Sequence, residues 1–455
     1  MIERLIPCDS NAAFAASRTL IIIVFVIFSI ILASCKIAPD KDTTSPVVNL
    51  TIEGGNEISR GVKLYLHVED DSKIDYVEIM IDDTTALAVE SNFDTIRFDI
   101  TPFADDSDHI LYAKVSDQEG NVGESEKLDV VITEYPGWRI YKSLVFGDPY
   151  DTPIVIDEKG VLLIGSGYDL NGLFIFNPET EEIKNYNKDN SPLTSKYIID
   201  LQLIADGSVW IATHHDVIEF LYELNYWGRR IDLPRDRHGY LQEISTLLLG
   251  PNTEMWIGTW VGGLFHYKGI ELERHYYIPE ITSIGVHDLI IDNNNRLYVA
   301  PESNSVININ GVYSIFDSEI TTYDFFNVNG IWGELLCIAA DSSNNIWVAG
   351  GGPAYKYNGN TWENVEQSAF NPRFDPMLVT KEGILFTQGA GTGLISWDGF
   401  EWTDYSIFDT PFKDEINNEL YIAGQSLVEA PDGDIWMVAG GKLMRYRPSL
   451  GAFSK

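Results

Sequence analysis

The sequence has few cysteines and few basic residues, and both shortages limit what the protein can be. Three cysteines occur among 455 residues, at Cys8, Cys35 and Cys337, so a disulfide framework is not expected. Cys337 falls in a predicted core strand, where a thiol behaves as a small apolar side chain. Lysine and arginine number 31 against 68 acidic residues, for a formal net charge of -37. With no basic run in the sequence, nucleic acid and anionic lipid surfaces are excluded as expected partners.

The amino-terminal apolar segment is too short to span a membrane. Residues 20–33 form 14 positions interrupted only by Ser29, whereas a spanning helix needs about 20 residues. The segment follows Arg18 and is typical of a signal-peptide core.

The end of this segment, Leu32-Ala33-Ser34-Cys35, resembles the lipobox of bacterial lipoproteins, in which the cysteine receives diacylglycerol. The resemblance implies a lipoprotein signal peptide over residues 1–35 and lipidation of Cys35. The alternative is an ordinary secretory signal with a cysteine there by chance. Because Lys36 rather than aspartate follows, the resemblance implies a lipid anchor in the outer membrane of a bacterial cell envelope.

A short-period pattern follows a polar tether at residues 36–45. Between residues 46 and 135, apolar and polar residues alternate in about seven short segments, for example over residues 62–68. Their number and spacing predict an immunoglobulin-like β-sandwich. The segments 68–72 and 116–123 also resemble turns of bacterial Ig-like modules of the cell envelope.

Acidic residues concentrate in the turns of this predicted sandwich. Asp42, Asp70, Asp71 and Asp117 would lie together if those turns meet at one end. Carboxylate oxygens are the ligands that calcium prefers, so the four residues are a candidate metal site. The alternative is that aspartate occupies turns because it tolerates their backbone dihedral angles. Apart from calcium, the sequence predicts no cofactor.

The rest of the chain repeats one pattern seven times: a turn residue, a few polar residues and an aromatic-aliphatic strand core. The period is about 45 residues, which is in the range of propeller blades. The seven strand cores end at Ile164, Ile211, Ile257, Val299, Val348, Phe386 and Met437.

Each repeat carries material for four strands joined by tight turns, most clearly over residues 335–365. We therefore predict an all-β protein, with a seven-bladed β-propeller over residues 136–455 behind the immunoglobulin-like sandwich. The last repeat has room for only three strands, while Trp138 begins a segment like the outer strands at Trp362 and Trp402. We predict that residues 138–144 complete the last blade and leave no open sheet edge.

Residues 255–267, Met-Trp-Ile-Gly-Thr-Trp-Val-Gly-Gly-Leu-Phe-His-Tyr, resemble the repeat of two-component regulator propellers. Residues 209–213 and 346–350 are weaker copies, and the resemblance covers residues 137–455. In that family such propellers form the periplasmic sensing part of hybrid histidine kinases, and many detect glycans. This sequence departs from the family in having one ring and no kinase or DNA-binding segment. We therefore expect that it does not signal alone.

Propellers bind ligands where the loops between the first and second pairs of strands converge around the central channel. The candidate positions in those loops are Tyr168, Asp169, His214, His215, Trp260, Glu302, Asn304 and Gln388, and the connection into the fifth repeat adds Phe325 and Trp332. Exposed aromatic residues beside amides and carboxylates suit sugar rings, so Tyr168, His214, Trp260, Trp332 and Gln388 form the predicted ligand site. The alternative is that each residue only covers a blade edge or solvates a turn. We expect no metal at His214-His215, because neighbouring strand residues point to opposite faces.

The sequence contains no Gly-x-Ser-x-Gly, His-Glu-x-x-His or phosphate-loop motif. We therefore predict a binding protein rather than an enzyme: a lipoprotein whose propeller face binds a glycan or another envelope protein. One alternative is a propeller-type lyase acting on a polysaccharide or small molecule, which needs a histidine or tyrosine beside a carboxylate in a closed pocket. Another is a purely structural scaffold, which predicts a flat face without a pocket.

Overall fold

The structure is a computed structural model, and it describes most of the chain after the leader. The predicted signal peptide and Cys35 lie outside the described residues. The described residues are 41–89, 94–146, 152–166, 171–204, 206–236, 238–276, 285–301, 311–324, 335–350, 354–365, 372–389, 393–405, 410–412, 422–423 and 425–449.

Strands account for nearly all the regular structure in these ranges. The helices described are three short 3-10 turns: η1 (Thr101–Phe103), η2 (Tyr222–Leu224) and η3 (Pro251–Thr253). A helix both long and apolar enough to cross a membrane is not found in the described part of the chain.

Two compact units divide the chain, as far as it is described. The first comprises Met1–Thr51, Tyr65–Thr95 and Tyr112–Lys127. The second comprises Ile52–Leu64, Ile96–Leu111 and Leu128–Lys455.

The strands between residues 47 and 133 form two sheets. One has the order β1-β3-β6, and the other has the order β2-β9-β7-β4-β5 with β8 also paired to β7. The strands are β1 (Val47–Ile52), β2 (Glu57–Ser59), β3 (Gly61–Glu69), β4 (Ile74–Ile81), β5 (Thr84–Val89), β6 (Thr95–Asp99), β7 (Ser107–Asp117), β8 (Val122–Glu124) and β9 (Leu128–Thr133). Along β3, Val62, Leu64 and Leu66 are buried while the residues between them are not, as the alternating pattern predicts.

The remaining described strands form seven four-stranded antiparallel sheets. In six of these sheets, four strands consecutive in the chain pair in order. Those six sheets contain β11 (Ile154–Ile156), β12 (Leu162–Gly165), β13 (Leu173–Asn177) and β14 (Glu182–Tyr186); β15 (Asp200–Leu203), β16 (Val209–Ala212), β17 (Asp216–Leu221) and β18 (Tyr226–Asp232); β19 (Ile244–Leu249), β20 (Glu254–Thr259), β21 (Gly263–Lys268) and β22 (Glu271–Tyr276); β23 (Val286–Ile291), β24 (Leu297–Pro301), β25 (Gly311–Phe316) and β26 (Glu319–Asp324); β27 (Leu335–Ala340), β28 (Ile346–Gly350), β29 (Tyr355–Tyr357) and β30 (Trp362–Asn364); β31 (Pro372–Val379), β32 (Leu385–Gly389), β33 (Gly393–Trp397) and β34 (Trp402–Asp404).

Aspartates hold the turn between the first and second strands in several of these sheets, as Asp341 and Asp292 show. The Oδ1 atom of Asp341 accepts hydrogen bonds from the backbone N–H groups of Ser343 and Asn345, at 3.0 and 2.8 Å. Asn344, between them, has a φ of 66°, in the left-handed region that asparagine tolerates better than most residues. Asp292 makes the same two contacts in its own turn. The polar turn residue of the sequence repeat therefore fixes the hairpin backbone.

Apolar clusters join the seven sheets in succession. Leu163 and Ile211 share the cluster between the first two sheets in chain order, and Phe386 and Met437 share the cluster between the last two. Trp436 shares a further cluster with residues of β11 and β12, so the succession returns to its first sheet. The first strands of neighbouring sheets also lie side by side, β11 against β15 and β35 (Val428–Glu429) against β11 among them.

The seventh sheet combines strands from distant parts of the chain. Its order is β10 (Trp138–Val145), β37 (Lys442–Tyr446), β36 (Ile435–Ala439) and β35. Trp138 pairs with Tyr446 and Ile140 with Met444, so the predicted pairing of this segment with the last strands is confirmed. Trp138 is fully buried, and its ring stacks on Tyr446 at 4.6 Å and meets the edge of Phe412 at 5.5 Å.

Replacing Trp138 with alanine should lower the free energy of unfolding by about 3–5 kcal/mol, because the substitution leaves a large cavity in the core. Urea denaturation followed by circular dichroism measures the loss. Phe400→Ala is the control, since Phe400 is 91% exposed and should change stability by no more than about 0.5 kcal/mol. Equal stabilities for the two variants would mean that the Trp138 strand adds little to the fold.

A buried carboxylate links neighbouring sheets at their first strands. Asp200 accepts hydrogen bonds from the backbone N–H of Leu201 and from that of Leu247 in the next sheet, both at 2.7 Å. Asp288 repeats the arrangement and accepts from the N–H of Ile338 at 2.9 Å. Burial raises the pKa of Asp200 to about 6, because loss of hydration penalises the charged form more than these hydrogen bonds favour it.

Asp200 should make the protein less stable as the pH rises from 4 to 6. The folded protein keeps this proton up to a pKa of about 6 while the unfolded chain releases it near 3.8, so the folded state loses about 3 kcal/mol relative to the unfolded state over that interval. Asp200→Asn removes the carboxyl group that titrates. The parent's free energy of unfolding minus that of the variant should therefore decrease as the pH rises from 4 to 7. A pH-independent difference would contradict the raised pKa.

Candidate functional site

A cavity of about 260 Å³ lies among the first strands of the four-stranded sheets. Residues from six of the seven sheets line it, and they come from the first strands, from the segments just before those strands and from the turns after the second strands. These residues come together because the first strands of neighbouring sheets lie side by side. We call this space the central cavity.

Two of the five predicted ligand-binding residues line the central cavity. His214 lies in the turn between β16 and β17, and Trp260 lies in the turn between β20 and β21. Gln388 lies within β32 and is only 4% exposed, and it is not among the lining residues. Tyr168 and Trp332 lie outside the described residues, as do Asp169, Glu302, Asn304 and Phe325.

Aromatic rings form part of the wall of the central cavity. Tyr197 stacks on His214 with ring centroids 4.4 Å apart and an interplanar angle of 27°. Trp260 meets His287 edge to face, with centroids 5.7 Å apart and an angle of 89°. Sequence reasoning missed Tyr197 and His287, because Tyr197 precedes a first strand and His287 lies within one. The sequence candidates came from loops after second strands and from one connection, the one into the fifth repeat.

Irregular pairing explains how strand residues reach the central cavity. The register of β19 shifts between Ile244 and Thr246, and that of β23 shifts between Val286 and Asp288. The residues at these shifts, Ser245 and His287, both line the cavity. An extra residue in one strand of a pair turns a side chain away from its regular direction. The polar pair His287-Asp288 at the start of an otherwise apolar strand was the available signal in the sequence.

The central cavity has an acidic and aromatic lining. Glu243 and Asp288 contribute carboxylates, and lysine and arginine are absent from its described lining. Burial is the main cause that lowers the pKa of His214, and its electrostatic interaction with the neighbouring imidazole acts in the same direction. His214 is therefore a neutral imidazole at pH 7, able to donate one hydrogen bond and accept another. This arrangement can bind a ligand through ring faces, imidazole hydrogen bonds and carboxylate charge.

A second cavity of about 600 Å³ borders the same turn. Both His214 and His215 line it, so the prediction that the two side chains point to opposite faces is wrong. Residues 214 and 215 form a bend instead of continuing the strand, and their rings lie 5.9 Å apart. His215 donates a hydrogen bond from Nδ1 to the carbonyl oxygen of Gln242 at 2.9 Å, which fixes its ring. Asp216 and Arg230 add an ion pair at 2.9 Å to this second cavity.

Three of the four predicted metal ligands lie close together. One carboxylate oxygen each from Asp42, Asp70 and Asp117 lies within 4.8 Å of the others. Asp71 is exposed and does not belong to the group. We call Asp42, Asp70 and Asp117 the acidic triad.

The acidic triad has the properties of a site for a hard cation. A side-chain hydrogen bond from Thr44 lowers the pKa of Asp42. Burial raises the pKa of Asp117, but hydrogen bonds from the side chain and backbone of Asn121 outweigh burial, so the net pKa is lowered. Both carboxyls are charged at neutral pH, and Asp42 Oδ2 is buried without a hydrogen-bond partner among the described residues. A bound cation would offset the repulsion between these carboxylates, and their oxygens suit calcium.

No protein-family model matches the chain, and no curated protein matches it. Solved structures do match. One is the extracellular domain of BT4673 from B. thetaiotaomicron, described as a hybrid two component system, with a TM-score of 0.57, 16% identity and coverage of 89% of this chain and 54% of that chain. Another is the corresponding domain of BT3049 from the same organism, with a TM-score of 0.54, 15% identity and coverage of 74% and 44%.

A third match is PorZ, described as a surface component of the type-IX secretion system of Porphyromonas gingivalis, with a TM-score of 0.50, 14% identity and coverage of 89% of this chain and 58% of that chain. The chain spans about half the length of these three structures. At these identities the likeness shows the fold, which is all-β and built from four-stranded sheets of the β-propeller type.

Proposed function

We propose that residues 136–455 form one seven-bladed β-propeller and residues 46–135 an immunoglobulin-like β-sandwich. The seven four-stranded sheets and the apolar clusters that join them in succession support the ring. The pairing of β10 with β37 supports its closure. Two sheets with alternating burial support the sandwich.

The protein is, in this proposal, a lipoprotein of the bacterial cell envelope. The lipobox-like residues 32–35 support lipidation of Cys35, and residues 36–45 would form the tether to the membrane. The likeness to two extracellular domains and to a bacterial surface component is compatible with a location outside the cytoplasm. Lys36 favours the outer membrane over the inner membrane.

The propeller binds a ligand, a glycan or another envelope protein, on the face that carries the central cavity. The observation that carries this proposal is the cavity itself, which has aromatic walls and is lined by residues of six sheets. A purely structural scaffold predicts a flat face without such a pocket. His214 and Trp260 mark this face, because turns after second strands of an antiparallel sheet share one edge.

Replacing Trp260 with alanine should reduce binding to the cognate ligand at least about tenfold, because an aromatic anchor in an interface contributes about 2 kcal/mol or more. A glycan array probed with the mature protein, residues 36–455, supplies the first measurement. Phe400→Ala is the matched control, since Phe400 is exposed and lies in the turn between β33 and β34, at the opposite edge of its sheet. Loss of binding in the Phe400 variant alone would place the ligand on the other face.

If no glycan binds, a photo-crosslinking residue tests whether the ligand is another envelope protein. Val261 is 71% exposed beside Trp260, and a crosslinker at position 261 should form one adduct with an envelope fraction of the native cells. The same crosslinker at position 400 should not form that adduct. If position 261 yields no adduct and the array shows no glycan, the binding function is wrong.

We also propose that the acidic triad binds calcium and stabilises the residue 46–135 region. Calcium at 100 times its dissociation constant should add about 2.7 kcal/mol to the free energy of unfolding. Asp70→Asn should abolish this gain, whereas Asp71→Asn, the same change at the next residue, should retain it. Thermal denaturation of the mature protein with calcium, with magnesium and with chelator provides the comparison. Identical responses of the two variants would refute the site.

A further inference from the structure

The size of the central cavity limits its occupant to one small group. Its volume is about 260 Å³, whereas pockets for drug-sized ligands measure about 300–1,000 Å³. Several sugar rings together would exceed this space. One extended side chain of a partner molecule fits it.

The charges around the central cavity favour a cation. Glu243 is exposed and forms no ion pair with a lysine or arginine in the described part of the chain, and Asp288 adds a second carboxylate to the lining. His214 is neutral at pH 7 and does not repel a positive charge. The formal net charge of -37 adds an attractive field for cations and repels anionic ligands.

The aromatic walls also suit a cation. Trp260 is half-buried at the cavity, and Tyr197 contributes a second electron-rich ring. The face of an indole attracts an ammonium or guanidinium group within about 6 Å, more strongly than phenylalanine or tyrosine does. Aromatic faces and carboxylates together distinguish this cavity from a site for an anionic group.

Two exposed apolar side chains lie close in the sequence to lining residues of the central cavity, and they point to a protein as the source of the cation. Leu241 and Val261 are 46% and 71% exposed. Their segments are adjacent, since the backbone N–H of Trp260 donates to the carbonyl oxygen of Glu243 at 3.0 Å. An anchor side chain in a pocket, surrounded by apolar contacts, is the usual arrangement at the centre of a protein interface.

We propose that the central cavity receives a single lysine or arginine side chain of a partner protein, with Glu243 and Asp288 supplying the charge and Trp260 and Tyr197 the aromatic faces. This inference rests on the proposed binding function of the same face. It selects a protein over a glycan as the occupant of the cavity.

The test compares two small probes that differ in one charge. Nα-acetyl-lysine amide carries an ammonium group, and Nα,Nε-diacetyl-lysine amide is its neutral analogue. Ligand-observed NMR with the mature protein in about 0.15 M salt, where distant surface charges are screened, should show binding of the charged probe. The neutral probe should bind about fivefold more weakly or worse, because it lacks the cation–π and carboxylate contacts. Equal binding of both probes would overturn the inference.

Two variants locate the probe. Glu243→Gln should weaken binding of the charged probe about fivefold, whereas Glu271→Gln, the same charge change on an exposed residue of the outermost strand β22, should leave it unchanged. Trp260→Leu keeps an apolar side chain but removes the ring, and it should also weaken binding. Circular dichroism checks that each variant folds. Equal effects of the two glutamine variants would mean that the amine binds only the general acidic surface.

The probe-binding experiment and the experiments on the proposed function can fail independently of each other. If the crosslinker at position 261 captures a partner or a glycan binds through Trp260 while the charged probe does not bind, the face binds a ligand and only the cationic anchor is wrong. If the charged probe binds and loses affinity in Glu243→Gln, the anchor site stands even where no glycan binds.

Discussion

The antiparallel pairing of β10 with β37 is the constraint on which the four-stranded sheets depend. It joins Trp138 to Tyr446, more than 300 positions apart in the sequence. A sheet of β35, β36 and β37 alone would present unpaired backbone groups along β37, and such an edge is a template for pairing with other chains. Because Trp138 also shares an apolar cluster with Phe386 and Leu394 of the neighbouring sheet, the same strand covers that sheet. One tryptophan therefore serves both hydrogen bonding at the edge and apolar packing between sheets.

The central cavity is a consequence of this succession of sheets. Six of the seven sheets contribute between one and three lining residues each, so the cavity exists only while the first strands stay side by side. Asp200 and Asp288 hold neighbouring first strands together through backbone N–H groups, whereas an apolar residue there would leave those groups unpaired. The bulge at His287 then turns one ring towards Trp260. Structural hydrogen bonds and cavity-lining side chains thus alternate along the same few residues.

Sequence periodicity could predict the sheets because side chains in a strand alternate every two residues and each four-stranded sheet repeats its turn. It could predict the pairing of Trp138 because an unmatched outer strand and an incomplete last repeat complement each other. It also predicted that Asp42, Asp70 and Asp117 lie close together, because the short acidic segments that contain them can be recognised locally in the sequence. It could not predict Tyr197, because the path of a connection depends on packing between sheets. It misjudged His215, because a strand rule was applied to residues that form a bend.

The acidity of the chain serves different purposes according to burial. At Asp200 hydration is lost, so the carboxyl holds its proton to a pKa of about 6 and acts through hydrogen bonds to the backbone. At Asp42 hydrogen bonds lower the pKa, so the charge is kept and must be balanced by solvent or by a cation. At Glu243 the side chain is exposed and shares the lining of the central cavity with Trp260, and an exposed carboxylate costs little to keep charged. Net charge alone does not distinguish these roles; the surroundings of each carboxylate do, which is why an exposed acid beside aromatic rings favours recognition of a cation over a structural role.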